Sequence, residues 1–124
     1  MKIVLVINSM ISNQEKITNV IPNQGEFYFL YDGRHKWSID KIVEQHKENY
    51  LINFFPNDPT AGVGSLEEIY ETRMWGNPLF HVASYSTKEL NTVEAYESFK
   101  DLYDILFNKV YGIDDVFDEI ISNF

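Results

Sequence analysis

The sequence predicts an α/β fold: a small, mainly parallel sheet of four strands with helices on both faces, ending in one long helix and one short one. Two observations carry this expectation. Short apolar or aromatic runs alternate with stretches of helical spacing, which is the order of βαβ units. The first run, Lys2–Ile7 (KIVLVI), is continuous and β-branched, as expected of a strand buried on both faces. At 124 residues, 44% hydrophobic and 15% aromatic, the chain can bury a core without a disulfide or metal staple. Residues 1–124 are expected to form a single domain.

Each element follows in turn. After the first run, Ser12–Pro22 suits a short helix, with Ile17, Val20 and Ile21 on one side and Pro22 as its stop. Glu26–Tyr31 (EFYFLY) reads as the second strand. From Ser38, a good N-cap, Ile39, Ile42, Val43 and His46 recur at i, i+3, i+4 and i+7, the spacing of a helix. An alternative stays open: Asp32-Gly33 can close a hairpin, with His35–Ile42 as the returning strand. The helical spacing favours the crossover. Tyr50–Phe55 (YLINFF) is the third strand. Ser65-Leu-Glu-Glu68 has the form of a capping box before Leu66, Ile69 and Tyr70, and this helix should stop before Trp75-Gly-Asn-Pro78. Leu79–Tyr85 (LFHVASY), behind Pro78, is the fourth strand.

The longest helix is the clearest. Asn91-Thr-Val-Glu94 reads as a capping box, and Val93, Tyr96, Phe99, Leu102, Tyr103, Leu106, Phe107 and Val110 form one stripe that Gly112 closes. Asp114-Asp115 start a last short helix containing Val116, Phe117, Ile120 and Ile121. Right-handed crossovers would place helices on both faces of the sheet. The coarse topology is similar to that of flavodoxin-like and Rossmann-like three-layer folds, an analogy that does not settle function.

Composition narrows the chemistry. With no cysteine, disulfides, thiolate metal sites and a cysteine nucleophile are excluded. His35, His46 and His81 show no short ligand spacing, so no metal cofactor is indicated. His46, on the helical stripe, and His81, in an apolar strand, read as core histidines. The apolar run at the start stops at Asn8, too short for a signal-peptide core or a membrane span, and a cytoplasmic location is expected. A net charge of −9 argues against nucleic acid and anionic membrane as partners. Residues 1–88 hold ten acids and eight bases, whereas residues 89–124 hold nine acids and two bases.

In a parallel sheet, the loops at the carboxyl ends of the strands share an edge, and ligands bind there. The first such loop offers Asn8 and Ser9. The second, Asp32–Trp37, holds Arg34, one of two arginines, with His35, Lys36 and Trp37, and leads to the helix start at Ser38, where free N–H groups favour an anion. The third, Pro56–Gly64, brings Thr60, Gly62 and Gly64 close before a helix, without a Walker A lysine. The fourth supplies Ser84, Ser86 and Thr87. Asp32 and His35 are the candidate catalytic groups, although no GxSxG elbow frames a serine.

Two functions follow as expectations. The first is binding of a small phosphorylated or nucleotide-like ligand at that edge, with processing of the ligand as its extension. The second is an acidic interaction or inhibitor module, in which Asp101, Asp104, Asp114, Asp115, Asp118 and Glu119 attract a basic protein partner. A homodimer sealed by Tyr111 or Phe124 is compatible with both.

Overall fold

Three tight turns decide the architecture. At Gln24-Gly25, Asp32-Gly33 and Gln45-His46, two consecutive residues take positive φ, between 49° and 91°. Paired left-handed residues match the right-handed twist of adjoining strands, so each turn folds the chain back on itself. The computed structural model, which describes residues 1–56, 67, 69–71 and 82–123, therefore shows an antiparallel meander. Its strands are β1 (Ile17–Asn23), β2 (Glu26–Tyr31), β3 (His35–Glu44), β4 (Lys47–Phe55) and β5 (Ala83–Ser86), paired in sequence order. This corrects the expected parallel four-stranded sheet: among the described residues every pairing is antiparallel and five strands are present.

The helices are α1 (Lys2–Ser12), a single turn α2 (Thr87–Leu90), α3 (Val93–Tyr111) and α4 (Ile113–Ser122). Lys2–Ile7, expected as a strand, begins α1. Ile3, Ile7 and Met10 are buried, with Val6 and Ile11 packed beside them, so the apolar positions extend past Asn8 at helical spacing. Ser12–Pro22, expected as a helix, instead ends in β1. That strand lies at the edge of the sheet, where Pro22 is tolerated, and its register shifts between Thr18 and Ile21, around Asn19 with φ 55°. The run after Ser38 is β3, so the hairpin alternative is the observed one.

The core lies between one face of the sheet and the pair α1 and α3. Phe27, Phe29, Trp37, Ile39, Tyr50 and Ile52 of the strands meet Ile7 and Met10 of α1 and Phe99, Leu102, Tyr103 and Leu106 of α3. Thr92 caps α3 by accepting from the Ala95 N–H at 3.1 Å. Asn91, the expected cap, lies one residue earlier in a left-handed conformation that ends α2. Gly112 closes α3 as expected, with φ 59° and its N–H donated to the Asn108 carbonyl at 2.7 Å. On the opposite face of the sheet, Tyr28 and Phe55 pack with Ile69 and Tyr70 from helical residues 69–71. The capping box at Ser65, the stop at Gly76, the strand residues 79–81 with His81, and Phe124 lie outside the described residues.

Candidate functional site

An antiparallel meander has no edge where all strand ends converge, and the residues expected there are distributed accordingly. Asn8 and Ser9 lie within α1: Asn8 accepts a hydrogen bond from Ser98 at 2.9 Å, and Ser9 donates to the Leu5 carbonyl at 3.0 Å. Asp32 and Arg34 are exposed in the β2–β3 turn. The Asp32 N–H donates to the Lys16 carbonyl at 2.9 Å. His35, Lys36, Trp37 and Ser38 belong to β3, and successive strand side chains point to opposite faces. The cluster is therefore divided by the sheet. His35 and Trp37 lie on the α1–α3 side, against Phe54 at ring separations of 6.3 and 4.7 Å. Lys36 and Ser38 are buried on the other side. No helix N-terminus follows Arg34, which removes the anion cradle expected at Ser38. Thr60, Gly62 and Gly64 lie outside the described residues.

The structure does bring Ser38 and Ser84 together. Directly opposed across β3, β4 and β5, Ser38, Asn53 and Ser84 form one rung. The Ser84 hydroxyl donates to Asn53 Oδ1 at 2.6 Å, Asn53 Nδ2 donates to Ser38 Oγ at 3.0 Å, and the Ser38 hydroxyl donates to Glu26 Oε2 at 3.0 Å. All three dipoles run toward one carboxylate. Ser38 and Asn53 are almost completely buried, and a buried polar side chain must be paired in this way. The rung does not activate a nucleophile: the acceptor beside Ser84 is an amide oxygen, which takes no proton. Asn53 and Glu26 were not among the expected site residues. The signal for Asn53 was a lone amide inside the aromatic run YLINFF.

Ser86 and Thr87 have local structural roles. Ser86 Oγ caps α2, accepting from the N–H groups of Lys88 and Glu89. Thr87 Oγ1 accepts from the Tyr50 N–H at 2.9 Å and donates to Asn49 Oδ1 at 3.0 Å, tying α2 to β4. His46 is exposed in the β3–β4 turn rather than on a helical stripe. Burial raises the phenolic pKa of both Tyr50 and Tyr103, and neighbouring acids add to it in each case. An apolar cleft of about 260 Å³ is lined by Ile3, Val6, Trp37, Phe54 and Tyr85 among others, with Lys2 at its margin. Trp37 Nε1 is buried there without a hydrogen-bond acceptor among the described residues.

Among the described residues, the least satisfied surface is α4. It buries none of its residues. Val116, Phe117, Ile120 and Ile121 remain 47, 57, 63 and 71% exposed. The acids of α4 form no ion pair among the described residues, whereas Asp104 on α3 is paired with Lys100 at 2.9 Å. Beside α4, at the end of α3, Phe107 and Tyr111 are also exposed, their rings 4.6 Å apart. Comparison with known proteins found no matching family model, no similar curated protein and no similar solved structure. Among the described residues no helix is long and apolar enough to cross a membrane.

Proposed function

We propose that this chain is a protein-interaction module, of the adaptor or inhibitor kind, that works through its C-terminal helices. The observation that carries the reading is the exposure of four large apolar side chains on one ten-residue helix. Scattered surface apolar residues need no explanation, but a contiguous stripe of them marks an interaction surface. A helix this short is marginal on its own in water and gains most of its stability from packing. Full burial of a Val, Ile or Phe side chain is worth about 1.5–3 kcal/mol, so docking would stabilise both the helix and the complex. The helix-in-groove mode uses anchors at i, i+3, i+4 and i+7, the spacing of Ile113, Val116, Phe117 and Ile120.

The reading is tested by presenting the tagged chain and its Phe117→Ala/Ile120→Ala variant to extract of the cells that make it. A protein should be retained by the first and lost from the second. Equal retention by both, or none by either, would sink the proposal. Because α4 buries nothing, the variant should keep the wild-type thermal midpoint, which separates lost binding from lost folding.

A further inference from the structure

We infer, resting on the reading of α4 as a docking helix, that its partner is a cationic amphipathic helix of another protein, whose apolar stripe meets that of α4 between two rows of lysine or arginine. The argument is the placement of charge around the stripe. At about 100° per residue, Val116, Phe117, Ile120 and Ile121 fall within one arc of about 140°. Asp114 and Asp118 follow on one side of that arc, and Asp115 and Glu119 on the other. Both long edges of the apolar stripe are therefore acidic, and no base lies anywhere in residues 113–122.

This pattern selects among the surfaces that can cover an apolar helix face. In paired helices the flanking positions face each other and set partner choice by charge. A second copy of α4 would place acid against acid along both edges, and like charges there are destabilising. An anionic bilayer takes up helices whose polar face carries lysine and arginine, the reverse of this one. A helix with leucine-like residues along one face and bases on both flanks matches apolar to apolar and charge to opposite charge. Such complementarity acts chiefly on specificity and on the rate of encounter, so the interaction should weaken with salt.

The test uses the full chain and three synthetic peptides: a leucine–lysine amphipathic helix, the same sequence with glutamate for lysine, and one with serine for leucine. Binding of each labelled peptide is followed by fluorescence anisotropy at low and at physiological salt. Two variants are compared with wild type, Phe117→Ala/Ile120→Ala and Asp114→Asn/Asp115→Asn/Asp118→Asn/Glu119→Gln, with circular dichroism as the check on folding. The leucine–lysine helix should bind wild type, at least tenfold more weakly to each variant, and the other two peptides should bind at least tenfold more weakly to wild type. If the charge-neutralised variant binds as tightly as wild type, the basic partner is overturned while the docking helix stands. If the apolar variant also binds as tightly, both fall. Failure of wild type to bind the leucine–lysine helix overturns the inference, as does light scattering that shows a dimer abolished by the apolar substitutions, which would make a second copy the occupant.

Discussion

Asn53 and His46 illustrate how single residues carry this fold. Asn53 stands between Ile52 and Phe54, which face α1 and α3, so its amide faces the other way and must find partners across the sheet. It does so with Ser38 and Ser84. Asn53→Leu keeps the number and branching of side-chain heavy atoms but leaves Ser38, in the buried rung, without its donor. Loss of about 1–3 kcal/mol is expected, read by urea denaturation. His46 and Gln45 hold φ of 66° and 49°, a conformation that costs most residues and little to Asn or Gly. Gln45→Asn/His46→Gly should therefore raise stability by about 1 kcal/mol in the same assay. Tyr50 and Tyr103 keep their protons above the ordinary phenolic pKa of 10 because burial opposes ionisation. Their contribution is intact below about pH 10 and is lost as pH rises beyond it, when the unfolded chain ionises first. Tyr50→Phe should flatten the alkaline fall in the thermal midpoint; an unchanged fall would place its cause elsewhere.

At the scale of elements, α3 and α4 share an apolar periodicity but not a role. Phe99, Leu102 and Leu106 of α3 are fully buried, whereas no residue of α4 is. Leu102→Ala should cost about 2–5 kcal/mol. Ending the chain after Gly112 should leave the midpoint of thermal unfolding nearly unchanged, and amide exchange should be fast in α4 and slow in α3. A large drop on truncation would show that α4 packs on the remainder. Both helices, and the strands β2 and β4, were legible in the sequence, because each carries a long stripe or a short aromatic run bounded by turn residues. Of the three segments misread, Lys2–Ile7, Ser12–Pro22 and the run after Ser38, the first and last were misread for one reason. The five apolar residues of Lys2–Ile7 and the positions Ile39, Ile42, Val43 and His46 fit either period, and only a wider window or the neighbouring turn separates helix from strand. Ile3, Ile7 and Met10 supply that window for α1, and the left-handed Asp32-Gly33 pair supplies the turn for β3.

Across the whole molecule, the charge of −9 is concentrated at the end of the chain that also exposes the apolar helix. Self-repulsion of this size is relieved by salt, so the thermal midpoint should rise by roughly 2–4 °C between low and physiological ionic strength. No such rise would mean that the acids are too well separated to repel. The expected ligand site depended on the sheet being parallel. With antiparallel neighbours, Arg34 and Ser38 are not at a helix N-terminus, Lys36 and Trp37 lie on opposite faces, and Ser84 joins Ser38 through an asparagine. The sequence by itself determined the acidity, the lack of cysteine chemistry, the strands β2 and β4 and the last two helices, because these follow from composition, local periodicity and caps. Only the tertiary structure decided the direction of the strands, the partners of the buried polar rung and which of two apolar stripes is buried. Those depend on which elements the tight turns bring face to face, and a helix stripe is core only when another surface is there to cover it.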